Sequence, residues 1–289
     1  ETATTSYAYT EDTVTVTGPT GATSRQTTDG LGRTTAAAEW DDGDDDGTID
    51  SSEWATASYT HDAADRVLSA TDPADNVTSY TYNLAGWRIS QDDPDRGEAT
   101  YGHDLLGNVR MAEDANGTQL WTTYDALSRP TARRSGSDTG TMLASWAYDT
   151  APLGRGQLAS SIRHTSSGAW TTAVQGYDSR GRATGSTLTV PAGVTGLTGS
   201  YSVTQAYDRA DRPTATTYGA AGDLPAETVT TGYDVLGMVD TLTGAEQYVR
   251  TTNYDDRGRP TLQVDGPEDT TGPFGIWQAR EFTYNADQQ

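Results

Sequence analysis

With 289 residues, a net charge of -22 and a mean hydropathy of -0.67, the chain repels nucleic acid and anionic membranes, and its 34% hydrophobic content is too small for a thick aliphatic core. Sixteen Tyr, seven Trp and 31 Gly nonetheless exclude an ordinary disordered tail, which is poor in aromatic residues. Cysteine is absent, which excludes disulfides, thiolate metal sites and Cys nucleophiles, and lysine is absent too, since all 19 basic residues are Arg.

Large rings set among Thr, Val and Gly predict β-structure with many turns. Taken in chain order, the first turn signal is "TDGLGRT" from Thr28, followed by the acidic stretch "DGDDDGTIDSSE" from Asp42 to Glu53. Then come "HDAADRV" at His61, "YNLAGWR" at Tyr82, "HDLLGNV" at His103, "YDALSRP" at Tyr124 and "YDTAPLGRGQL" at Tyr148. The same unit returns as "YDSRGRA" at Tyr177, "YDRADRP" at Tyr207, "YDVLGMV" at Tyr233, "YDDRGRP" at Tyr254 and "YNADQQ" at Tyr284. Its second residue recurs every 21 positions at Asp62, Asn83, Asp104 and Asp125, and again from Asp234 to Asp255, while other intervals stretch to between 24 and 33. Repetition with variable loop insertions marks an array of one supersecondary unit.

Each unit reads as a strand ending in Tyr, a tight turn on Asp, and a new strand opening with Arg and β-formers. Asp caps its own turn and Gly supplies the positive φ of the reversal, so the unit is a β-hairpin. A lone hairpin is marginal, but hairpins side by side in one sheet cover each other's edges, and each ring is expected to stack on the ring of the next repeat. Pro130, Pro213 and Pro260 suit the first position of a strand. The recurring Arg33, Arg66, Arg88, Arg182, Arg212 and Arg259 keep the phase of the Asp residues, which predicts Asp pairing or stacking on Tyr rather than anion binding.

The pattern Tyr-Asp-x-x-Gly-Arg, complete at Tyr177 and Tyr254 and degenerate elsewhere, resembles the YD repeats of the Rhs family, found also in wall-associated proteins, Tc toxin cocoon subunits and teneurins. The resemblance implies an all-β fold: one array over residues 1–289 whose hairpins form a continuous, spiralling antiparallel sheet, a segment of a larger shell or fibre wall. It further implies a secreted or cell-surface structural role that encapsulates or presents a toxin or other effector. Other segments or chains of the same wall are the expected partners, with an enclosed toxin polypeptide or a surface glycan besides. A carbohydrate-binding adhesive surface or a self-assembling filament is the alternative.

The interval from Asp29 to Asp62 is 33 residues against a base of 21, an excess of twelve, the length of a calcium loop. Asp42, Asp44 and Asp46 take its first, third and fifth positions, Gly47 the sixth, Thr48 the seventh through its carbonyl, Asp50 the ninth and Glu53 the twelfth. Hard, doubly charged Ca2+ suits such a set of oxygens, and a cation relieves the repulsion among crowded carboxylates. Ile49 would anchor the loop inward. "TTAAAEW" before it and "SEWATAS" after it offer at most two helical turns each, so the expectation is an EF-hand or dockerin-type loop inserted between strands, with at most a short helix after Ser51.

No catalytic residue is assigned. His61 and His103 replace Tyr as rings, His164 in "SIRHTSSG" sits on a strand or its turn, and no nucleophile-elbow motif accompanies the Ser and Asp residues. Asp72 and Asp93 each precede Pro as turn residues, with no counterpart of the family's self-cleaving aspartyl centre. The insertions "TVPAGVTGLTGS" and "EDTTGPFGIW" are the expected sites of partner-specific surface. Within these residues neither an 18-residue apolar run nor a signal-peptide pattern occurs, so no membrane span is expected.

Overall fold

A computed structural model describes residues 4–40, 54–266 and 278–284. Every regular element in it is a strand. The chain divides into two compact units, Glu1–Arg129 with Arg134–Thr141, and Pro130–Arg133 with Met142–Gln289. The first holds β1 (Ser6–Tyr9), β2 (Thr13–Thr17), β3 (Thr23–Thr28), β4 (Thr34–Trp40), β5 (Trp54–His61) and β6 (Val67–Thr71). It continues with β7 (Val77–Tyr82), β8 (Arg88–Asp93), β9 (Gly97–His103), β10 (Val109–Glu113) and β11 (Gln119–Tyr124). The residues of β12 (Pro130–Ser135) are divided between the units. The second unit holds β13 (Thr141–Tyr148), β14 (Leu158–Thr165), β15 (Gly168–Tyr177), β16 (Ala183–Val190), β17 (Gly199–Tyr207) and β18 (Pro213–Tyr218). It ends with β19 (Glu227–Tyr233), β20 (Val239–Thr243), β21 (Gln247–Tyr254), β22 (Pro260–Asp265) and β23 (Gln278–Glu281).

Both units are antiparallel meanders. In the first, each strand from β1 to β11 pairs with its sequence neighbour. The second does the same from β13 to β23. Thr supplies the fabric: it is β-branched, and directly opposed hydroxyls bond across strands at Thr60–Ser69 (2.6 Å), Thr81–Ser90 (2.6 Å) and Thr217–Thr228 (2.8 Å). The sequence lacks the apolar mass for a deep interior, and among the described residues the buried apolar side chains are Ala38, Ala151, Ala159, Val190 and Val249. Most strand residues are half-buried, as in β7, where exposure alternates along Val77–Tyr82. Stability therefore rests on neighbour-to-neighbour links rather than on one core.

The predicted strand boundaries hold. His61, Tyr82, His103, Tyr124, Tyr148, Tyr177, Tyr207, Tyr233 and Tyr254 each end a strand, and Pro130, Pro213 and Pro260 each open one, where a missing N–H removes no ladder bond. Successive turns of a meander lie on opposite edges, so the Tyr-Asp turns share one edge of their unit. Most insertions fall on the other edge, among them 41–53 between β4 and β5, 191–198 between β16 and β17, and 219–226 between β18 and β19. The Tyr-Asp edge stretches once, at 149–157 between β13 and β14, where the Asp149 N–H reaches the Gln157 carbonyl (2.9 Å) instead of the residue four positions on.

The calcium-loop residues Asp42, Asp44, Asp46, Thr48, Asp50 and Glu53 lie outside the described residues, as does "EDTTGPFGIW". Their flanks do not. "TTAAAEW" is strand β4, and Trp54 onward is strand β5 with Trp40 opposite Trp54, so neither flank forms a helical turn. Pairing with neighbouring strands outweighs the helix propensity of the three alanines. No helix among the described residues is long and apolar enough to cross a membrane.

Candidate functional site

The feature that recurs is a lock built around each Tyr-Asp turn, best seen at Asp178. The main chain makes a type I turn closed by a residue in the left-handed region: the Asp178 N–H donates to the Arg182 carbonyl (2.9 Å) and the Gly181 N–H to the Asp178 carbonyl (3.0 Å). One carboxylate oxygen accepts the N–H groups of Arg180 (2.9 Å) and Arg182 (3.0 Å). The other accepts Nε and a terminal nitrogen of the Arg182 guanidinium at 2.7 and 2.5 Å, a planar two-pronged pairing that Lys cannot reproduce. The same Asp and Arg four residues apart pair at Asp29–Arg33, Asp62–Arg66, Asp125–Arg129, Asp208–Arg212 and Asp255–Arg259.

Three of the locks also grip the next hairpin through a hydrogen bond. The third guanidinium nitrogen of Arg182 donates to the Asp208 carbonyl (3.2 Å), as Arg33 does to Asp62 (2.7 Å) and Arg66 to Asn83 (3.2 Å). The guanidinium lies over the next ring: Arg66 over Tyr82 at 4.8 Å, Arg182 over Tyr207 at 4.4 Å, Arg212 over Tyr233 at 4.3 Å and Arg259 over Tyr284 at 4.2 Å. That ring sends its hydroxyl back to the carbonyl of the residue just after the Arg position. The bond runs from Tyr82 to Val67, Tyr124 to Val109, Tyr148 to Pro130 and Tyr177 to Leu158. It continues from Tyr207 to Ala183, Tyr233 to Pro213, Tyr254 to Val239 and Tyr284 to Pro260, all eight spanning 2.6 to 3.1 Å. The Asp29-to-Asp62 grip closes although residues 41–53 intervene, because that excursion leaves from the opposite edge.

Two expectations are corrected by this geometry. Tyr82, Tyr207, Tyr233 and Tyr284 stack on arginine and not on the next ring, because a guanidinium four residues after Asp lies in the plane where a second ring would sit. Arg88 is not a lock residue: it follows Trp87, which occupies the Arg position of its turn, and its guanidinium packs on Tyr80 (5.7 Å) and Tyr101 (5.0 Å). Trp87 then meets His103, at the next Tyr position, with ring centroids 5.4 Å apart, so His103 does take the place of a ring as expected. The hydroxyl link was the feature that composition and motif spacing missed, although the constant phase between the residue after Arg and the next Tyr carried its signal.

Electrostatics follow the geometry. The Arg182 side chain, and after it the Arg182 and Arg180 N–H groups, outweigh partial desolvation and hold the Asp178 carboxyl below the usual range. At Asp29, Asp125, Asp208 and Asp255 the backbone N–H of the paired Arg leads the same lowering. Asp72 and Asp93 cap turns on the opposite edge, Asp72 accepting from Ala74 and Asn76 and Asp93 from Asp95 and Arg96, as ordinary Asp-Pro turns do. His164 lies on β14 with Nε2 3.3 Å from the Ser145 hydroxyl. Among the described residues no group of three or more His, Asp or Glu is placed to hold a metal.

Comparison with known proteins agrees with this repeat. A model of the RHS Repeat family matches residues 61–98, the span from His61 into β9. The fold matches the crystal structure of TcdB2-TccC3-Cdc42 with a TM-score of 0.71 at 12% identity, covering 97% of this chain and 15% of that one. TcdB2-TccC3 gives 0.71 at 13%, again covering 97% and 15%. The Photorhabdus luminescens Tc holotoxin pore carrying a TccC3 D651A mutation gives 0.66 at 12%, covering 97% and 16%. The chain thus spans about 15% of the length of the first two solved chains and 16% of the third. No curated protein matches the sequence.

Proposed function

We propose that this chain, an array of hairpins that matches the RHS Repeat family over residues 61–98, serves as a non-catalytic segment of a secreted or cell-surface β-sheet wall that encloses or presents a toxin or other effector. The observation that carries the reading is the hairpin-to-hairpin lock: a hydroxyl-to-carbonyl bond, a guanidinium grip and a cation–π contact recur in one phase. Such links stiffen a sheet along its stacking direction. Other wall segments, in this chain or neighbouring ones, are then its principal partners. Electron microscopy of the full-length polypeptide carrying this chain should show a hollow shell with density inside; an extended string of separate domains would sink the proposal.

Ca2+ completes the reading. Asp42, Asp44, Asp46, Asp50 and Glu53 would supply carboxylate oxygens and Thr48 a carbonyl, and Trp40 opposite Trp54 delivers both ends of the excursion side by side from one rigid hairpin. The cation would lower the loop's electrostatic cost and tie β4 to β5. Calorimetric titration of chelator-treated protein should give saturable one-site binding with a raised melting temperature, both lost in Asp44→Ala and Glu53→Gln. Weak, unsaturable uptake that both variants retain would make the stretch an acidic turn only.

A further inference from the structure

The 219–226 insertion builds a feature that the repeat does not need. Val203 pairs with Tyr218 and Tyr218 with Glu227, and Tyr201 lies two residues from Val203 on the same strand. Directly paired residues, and residues two apart, share a sheet face, so these four side chains stand together. The insertion folds onto that face. Gly219 donates to the Ser202 carbonyl (2.8 Å), an approach at which a Cβ would collide with the Ser202 hydroxyl, and Ala221 and Leu224 exchange two backbone bonds of 3.0 Å that close the loop. Leu224, Pro225 and Ala226 thereby wall off a cleft of about 420 Å3 over Tyr201, Val203, Tyr218 and Glu227.

Its chemistry is lopsided. The lining carries aliphatic groups, two tyrosines, one serine, one carboxylate and no basic side chain. The Glu227 carboxylate is held in place by the Tyr248 hydroxyl and by the Ala245 N–H (2.8 Å), both donating to the same oxygen. These donors, Tyr248 foremost, keep it below the usual carboxylate range and therefore ionised at neutral pH. Tyr201 spends its hydroxyl on the Leu197 carbonyl (2.8 Å), which leaves few groups to bond the many hydroxyls of a sugar. We propose that this cleft binds a small organic cation of the quaternary or alkylammonium class, its methyl groups against Leu224, Pro225 and the tyrosine faces and its charge toward Glu227. Ring faces and a fixed carboxylate are the two partners such a cation recognises, the volume suits a ligand of that size, and a lysine-free chain of net charge -22 brings cations to it.

Choline is the probe, titrated by calorimetry and by tyrosine NMR signals at fixed ionic strength against its neutral isostere 3,3-dimethylbutan-1-ol. Saturable choline binding is expected, with the isostere at least about tenfold weaker and with both Tyr218→Ala and Glu227→Gln weakening choline by a similar factor. Gln keeps an oxygen for Tyr248 and Ala245, so that variant preserves the cleft, and unchanged thermal melting verifies it. Absence of saturable binding, equal binding of the isostere, or binding that survives both substitutions would each overturn the assignment.

Discussion

At the scale of the residue, one side chain does several jobs at once. The Asp of each Asp–Arg pair satisfies two backbone N–H groups and a guanidinium, and the residue three positions after the turn's Asp takes a positive φ: 77° at Gly181, 86° at Gly237 and 76° at Gly258. Asp65, Ser128 and Asp211 hold the same conformation at 64°, 60° and 65°, which non-glycine residues adopt only at a cost. At Asp65 and Asp211 the side chain gives something back by pairing with Arg33 and with Arg180 and Arg182. Gly237→Ala has no such return, and its Cβ would stand 2.8 Å from an Arg212 nitrogen. It should lower stability by about 1–2 kcal/mol in urea denaturation, and a loss below experimental error would remove the conformational argument.

At the scale of the element, the hairpin is completed by its neighbour. Tyr233 donates to the Pro213 carbonyl at the start of the preceding hairpin's outgoing strand, and Pro213 cannot offer an N–H of its own. Tyr233→Phe keeps the ring over Arg212 and removes only this bond. The expected loss is about 1 kcal/mol, with faster amide exchange in β18 to β20 and unchanged exchange in β14 and β15. Uniform acceleration across the second unit would show that its hairpins unfold together, contrary to strands that touch only their sequence neighbours. The hairpin period was legible in the sequence because Tyr, Asp and Arg recur in one phase. The stacking partner was not, since a row of rings and a row of guanidinium groups obey the same spacing.

At the scale of the whole molecule, stability is a sum of repeated polar locks, and this makes it sensitive to acid. The carboxyls of Asp29, Asp62, Asp72, Asp93, Asp104, Asp125, Asp178, Asp208 and Asp255 are all lowered by the groups that donate to them. A lowered carboxyl binds fewer protons folded than unfolded, where it titrates near about 3.9. Its contribution is therefore complete well above that value and is lost as pH falls through the lower folded values. The urea midpoint should be steady near neutrality and fall steeply below about pH 4, with Asp178→Asn removing part of the slope. A midpoint unchanged from pH 5 to pH 2 would mean that the locks contribute little.

The sequence by itself determined the class, the unit and its phase. Tyr as strand end, Asp as turn cap, Gly at the reversal and Pro at strand entry are local preferences of a few adjacent residues, and local preferences are written in local order. It also spaced the oxygens of Asp42, Asp44, Asp46, Thr48, Asp50 and Glu53. Only the tertiary structure decided that Arg182 lies under Tyr207, that the Tyr207 hydroxyl returns to Ala183, that Trp87 and His103 meet in place of Arg and Tyr, and that β4 and β5 are strands rather than helical turns. It alone gathered Tyr201, Tyr218 and Glu227 under a loop. Each of these depends on the register between neighbouring strands, which is fixed by backbone pairing across the sheet and by no residue taken alone.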